Sequence, residues 1–309
     1  MSAAAKVGRK TIRIANGLVN AFVLIVILLL LSFSCYAIWD SGQIHSAASA
    51  ANYEIYKPTS ENETASFADL QAINSDVFAW LTVYGTNIDY PMVQGQNNMK
   101  YVNTDARGRH SLSGAIFLDY RCSPNFSDFS SIVYGHHMEN QVMFGEIAQF
   151  SNRNYFEARK YGTLYFDGKE HGLEFFAFVH ADAYDFDVFR VGITEPNEQQ
   201  DYLDLLMQMA AHTRPNVTVT INDRIILLST CSPNSTNGRD ILIAKITDTI
   251  NPDPFEAEER SYSRTIPTID ELSGIWTRIP QWMKIGMAVT LFLLITLTVI
   301  LTHAKQRRR

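Results

Sequence analysis

The sequence predicts a mainly β body with inserted helices, held outside a membrane between two apolar helices. Three observations predict it. Short runs rich in β-branched and aromatic residues recur at close spacing between turn signals, the pattern of a barrel or sandwich rather than of alternating βαβ units. Two stretches, Leu18–Ile38 and Ile285–Thr302, contain no charged residue and are each about long enough to cross a bilayer as a helix. A basic tail flanks the outer end of each stretch, and Lys/Arg clusters stay on the cytoplasmic side.

Composition narrows the function. The 309 residues are 46% hydrophobic and 19% charged, enough to bury a core and too apolar for a disordered chain. The two tails carry +4 each against a net charge of −6, so the body carries −14. A body that acidic excludes wrapping of nucleic acid, whose phosphates require a basic face.

In chain order, residues 1–17 form a cytoplasmic basic tail with Lys6, Arg9, Lys10 and Arg13, and 18–38 a transmembrane helix. A cleavable signal peptide is the rival reading, since Ala48-Ser49-Ala50 resembles a cleavage site. An uncleaved anchor is favoured because the apolar stretch is longer than a signal-peptide core and the small residues lie well beyond its end. Residues 39–66 are small and polar and read as a linker. Apolar residues at Phe67, Leu70, Ile73, Val77 and Trp80 step by three or four, which predicts an amphipathic helix over 67–80. Strands are expected in Trp80–Val93, Gly114–Asp119, Ser131–Gly135, Tyr161–Phe166, Leu173–Val179, Val217–Ile221, Ile225–Ser229 and Ile241–Ile246, with a hairpin turn at Asp167-Gly168. Helices are expected at Gln141–Phe150 and Glu198–His212. The body spans 67–249, followed by a second linker over 250–282, a second transmembrane helix over 283–303 and a basic tail over 304–309. Trp39, Trp276 and Trp282 lie where interfacial aromatics would anchor the two helices.

Three residues could carry chemistry. Cys231 ends a strand and opens the turn-rich run Ser-Pro-Asn-Ser-Thr-Asn-Gly, and such rims are where reactive groups collect. Alone it is weak, because a free Cys is more often a buried, inert thiol. Arg239 follows eight residues on, directly before the next strand, so a hairpin would bring its guanidinium beside Cys231. That cation suits a developing oxyanion, although a surface Arg in an ion pair has the same spacing. Tyr134-Gly135-His136-His137 ends another short strand, and imidazole is the usual proton partner of a cysteine nucleophile. No metal site is expected: His110, His136, His137, Cys122 and Cys231 show neither C-x-x-C nor H-E-x-x-H spacing. No phosphate loop or G-x-S-x-G elbow occurs, and no cofactor is implied.

At these residues the sequence resembles a sortase of class B. Leu228-Ser229-Thr230-Cys231 is similar to that family's nucleophile motif, with Leu227 in place of its leading Thr. Gly238-Arg239 before the strand 240–245 resembles its arginine segment, and Tyr134-Gly135-His136-His137-Met138 its histidine motif. Gly85–Pro91, Ile116–Arg121 and Met143-Phe144-Gly145 also resemble class B segments, so the likeness runs from about Phe67 to Asp248. The resemblance implies a sortase-type closed β-barrel with N-terminal and inserted helices. It implies Cys231 as nucleophile, His136 as proton donor and acceptor with His137 as fallback, Arg239 on the oxyanion, and Ser229 and Thr230 as supporting residues. The implied activity is transfer of secreted proteins bearing a C-terminal sorting signal, by way of an acyl-thioester, to a cell-wall precursor or pilin amine. The implied setting is the membrane of a Gram-positive-type bacterium, with the catalytic domain extracellular. An extracellular cysteine protease without transfer and a non-catalytic anchored surface protein remain the alternatives. The second membrane segment is more familiar among pilus-building sortases than among those that anchor iron-acquisition proteins.

Overall fold

A computed structural model describes residues 3–58, 65–232 and 235–255. Its strands are β1 (Val77–Val83), β2 (Asp89–Val93), β3 (Ile116–Leu118), β4 (Ser130–Tyr134), β5 (Tyr161–Phe166), β6 (Lys169–Asp182), β7 (Ala210–Thr213), β8 (Arg224–Cys231) and β9 (Gly238–Thr247). They pair in the order β5-β1-β2-β3-β4-β8-β9-β6-β7, and a further β5–β6 pairing closes the first eight into a barrel with β7 appended to β6. The mainly β class and the closed barrel expected from the sequence are what is found.

The strands that carry the site are apolar on both faces, and the barrel explains why. On β8 and β9, Ile226, Leu228, Leu242 and Ala244 face the barrel core with Phe175 and Phe178. The alternate residues Ile225, Leu227, Ile241 and Ile243 face outward, where the helix α4 (Pro196–Met209) lays Tyr202, Leu203 and Leu206 over them. A strand covered on both sides reads as a continuous apolar run rather than as an alternation. The β5–β6 hairpin turns at Asp167 and Gly168, both at positive φ (51° and 73°), a conformation that Gly adopts without a Cβ penalty.

Several expectations are corrected. The helix expected over 67–80 is α2 (Ala65–Ile73), and Val77–Trp80 belongs to β1. The chain turns between them because Asn74 accepts the Asp76 N–H and anchors its own amide to the Ala106 carbonyl. The Gln141–Phe150 helix is replaced by short 3-10 turns, Glu139–Gln141 and Ile147–Ser151, with Gln141 at the end of the first and Met143 after it at positive φ. Val217–Ile221 is loop, closed by an Asp223 carboxylate that accepts from Thr220. The expected helix over 198–212 stops at Met209, and Ala210–Thr213 pairs with β6 instead.

The N-terminal helix α1 runs Ala3–Ala48. Its stretch Ile14–Ala48 is, among the described residues, the one helix long and apolar enough to cross a membrane. Much of the stretch expected as a linker is folded onto the barrel. Ala48 and Tyr53 are buried in the core, the Ala48 carbonyl accepts from Tyr90 Oη (3.0 Å), and the Arg107 guanidinium lies over the rings of Tyr53 and Tyr56. The second expected membrane helix, 283–303, and the tail after it lie outside the described residues.

Candidate active site

Strand register brings three side chains into a row. Across β8 and β9, Cys231 is directly opposite Arg239. The parallel pair β4 and β8 sets Tyr134 opposite Ser229, and the Gly135 N–H continues the ladder to the Ser229 carbonyl (3.2 Å). Two residues further on, His136 comes level with Cys231, on the same face because side chains alternate with period two. All three line one cavity of about 270 Å³ at the barrel rim, with Ser229, Thr230, Tyr134, Asn98, Val102 and Phe117.

Each member is held by a bond that suits its chemistry. Arg239 donates from one Nη1 to Cys231 Sγ (3.3 Å) and to the Gly238 carbonyl (3.1 Å). The permanent guanidinium is thus within reach of the sulfur and can shift its donors to an oxyanion. His136 donates from Nε2 to the Val102 carbonyl (2.8 Å). In the neutral ring that tautomer leaves Nδ1 as the basic nitrogen, the one able to exchange a proton in the cavity. Gly135 is required beside it: a Cβ there would stand 2.6 Å from Ile116 and 2.7 Å from Phe144. His137 is not among the residues that line the cavity and bridges through its backbone to Met143.

Ser229 and Thr230 are buried, and neither hydroxyl has a protein partner. Thr230 pairs with Asp240 on the opposite face of the sheet from Cys231, and the Asp240 carboxylate, 1% exposed, accepts from His180 Nδ1 (2.7 Å). Cys231 is exposed, whereas Cys122 is buried and its thiol is pushed up to about 11, first by burial and then by Asp119 and Asp128. Asn98 and Val102 were not singled out in the sequence, and Phe117 only within the segment Ile116–Arg121. Val102 contributes a backbone carbonyl, which any residue could supply, and Asn98 stands in a polar run, Gln94–Asn98, without periodicity.

Residues 81–247 match the sortase domain. The chain is 34% identical over 163 residues to Sortase B of Listeria monocytogenes, covering 53% of this chain and 65% of that protein. It is 30% identical over 190 residues to Sortase B of Staphylococcus aureus, covering 60% of this chain and 76% of that one. The first of these matches thus spans just under two thirds of the relative's length. Among solved structures, the crystal structure of sortase B from the type II pilus of Streptococcus pneumoniae is 48% identical, with a TM-score of 0.53, covering 59% of this chain and 99% of that one.

Proposed function

The chain belongs to the sortase family of cysteine transpeptidases, within class B, and on that premise we propose that it cuts a sorting signal on secreted pilin subunits and joins them to an amine of the next subunit. The row of His136, Cys231 and Arg239 around one cavity is the observation that carries the reading. The Cys231 thiolate attacks the carbonyl of the scissile peptide bond, and Arg239 holds the oxyanion that forms. His136 gives a proton to the departing amine, leaving an acyl-thioester on Cys231. The incoming amine attacks that thioester, His136 takes its proton, and the thiolate is released with a new amide bond made.

Pilin joining is favoured over wall anchoring by the 48% identity to a pilus sortase, against 30–34% to the two Sortase B proteins. A helix of sufficient length and apolarity at the N-terminus, preceded by Lys6, Arg9, Lys10 and Arg13, supports a membrane anchor with the barrel outside the cell. A second pass through the membrane over 283–303 belongs to the same proposal.

The test uses the detergent-solubilised full chain, a sorting-signal peptide and an excess of either a pilin-subunit amine or a wall-precursor amine. Mass spectrometry should find a peptide–pilin amide and a thioester adduct on Cys231. Hydrolysed peptide alone with every amine would remove the transfer step, and preference for the wall-precursor amine would remove the pilin assignment.

A further inference from the structure

One wall of the cavity is organised by a carboxylate that does not itself reach it. Asp119 follows β3 and is fully buried (0% exposed). Its Oδ1 accepts from Arg121 N (3.0 Å) and Nε (2.8 Å). Its Oδ2 accepts from Arg121 Nη2 (2.8 Å), Asn98 Nδ2 (2.9 Å) and Tyr134 Oη (3.2 Å). Of these donors, Asn98 and Tyr134 line the cavity that holds Cys231 and His136.

The bonds leave the Asn98 amide one orientation. Its Oδ1 accepts the Tyr120 N–H (3.0 Å), and its Nδ2 gives one hydrogen to Asp119. A flipped amide would set Nδ2 against the Tyr120 N–H and Oδ1 against the carboxylate, two repulsive contacts. Held as it is, the amide has a second N–H left for the cavity. Tyr134 is fixed in the same way: its hydroxyl is tied to Asp119, and its ring packs on Phe117 (5.4 Å) and Phe189 (6.3 Å).

We infer that Asp119 is a positioning residue for the reaction, fixing the Asn98 amide as a preset donor to the peptide held at Cys231 and the Tyr134 ring as the wall beside it. The protonation states agree. Burial alone would raise the Asp119 pKa, but Arg121 and Asn98 outweigh it and hold the carboxyl below the ordinary range. Burial and the Asp119 charge push the Tyr134 hydroxyl up, so it remains a donor. This inference rests on the site being the one that binds the sorting peptide.

The experiment is a double-mutant cycle in the full chain, scored as peptide cleavage with and without amine. Asp119→Asn keeps the shape but turns an N–H toward Asn98. It should lower kcat/KM about 10- to 100-fold, chiefly through KM, with alkylation of Cys231 by a small reagent unchanged. Asn98→Ala should lose a comparable factor, and Asp119→Asn added to it should cost less than about threefold more. Tyr134→Phe, which removes only the hydroxyl's bond to Asp119 and leaves that carboxylate in place, should lose a few-fold and keeps the test alive if Asp119→Asn does not fold. Near-normal cleavage in Asp119→Asn, multiplicative losses in the double variant, or full activity in Tyr134→Phe would each overturn the inference. A wild-type chain that cleaves without transferring would refute transpeptidation and leave this test standing.

Discussion

The molecule keeps two thiols on its folded body in opposite surroundings. Cys231 ends β8 at the rim, is exposed, and has the Arg239 guanidinium 3.3 Å from its sulfur. Cys122 lies three residues beyond Asp119, is 4% exposed, and has the carboxylates of Asp119 and Asp128 as its charged neighbours along with Arg121. Position on the barrel, not the residue type, separates an exposed thiol from a buried one. A strand end is where a side chain can keep solvent access while its backbone stays in the ladder. An opposing strand can then set a cation directly across from it, as β9 does. Cys122 has none of these, and it packs as a small apolar group.

The largest expected effect breaks the comparison most directly. Cys231→Ala removes the attacking atom, and peptide cleavage should fall by about 10⁴-fold or more, to background. Cys122→Ala, at a residue that does not line the cavity, should keep cleavage within about twofold of wild type at temperatures where it is folded. Progress curves with a quenched sorting peptide check both. Equal losses in the two variants would dissolve the distinction between rim and core.

Arg239 supplies the next largest effect. Loss of an oxyanion donor from a water-excluded site typically lowers the rate about 10²–10³-fold. Arg239→Ala should show that loss. Arg239→Lys keeps the charge without the planar fork and should rescue poorly. Both variants should fold and still expose Cys231 to a small alkylating reagent. Were Arg239 only a surface charge, its pairing would be worth about 0–1 kcal/mol and cleavage would hardly change.

Much of this contrast was legible in the sequence, for a physical reason. The strands around the site are apolar on both faces, so 131–135, 225–229 and 241–246 stood out as runs, and turn chemistry bounded them. Cys231, His136 and Arg239 could be named because each sits where such a run meets a turn. The helix expected over 67–80 was overextended because the apolar residues of α2 and β1 happen to stay in phase across Asn74–Asp76. Val217–Ile221 alternates like a strand but is closed locally by Asp223, with no partner in the sheet. The parts of the site that were not legible depend on pairing that exists only in three dimensions. The carbonyl of Val102 on His136 and the Asp119 carboxylate under Asn98 and Tyr134 join segments 34, 21 and 15 residues apart. No local pattern marks such contacts.

The smallest expected effect concerns protonation and sharpens the comparison without altering the chain. The thiolate is the species that alkylates. Burial, reinforced by Asp119 and Asp128, pushes the Cys122 thiol up to about 11, so thiolate there forms only as pH rises toward that value. At pH 8 about one Cys122 in a thousand would be ionised even if the reagent could reach it. Each pH unit gained below 11 should raise its labelling about tenfold while the fold persists. Cys231 is exposed at the rim beside Arg239. Iodoacetamide labelling at pH 7, 8 and 9, followed peptide by peptide in a mass spectrometer, should therefore modify exposed Cys231 before buried Cys122. In denaturant the two should converge, since an unfolded thiol regains its ordinary pKa. Equal labelling in the folded protein at pH 8 would mean that the core around Cys122 opens as readily as the rim, and that burial does not separate the two thiols.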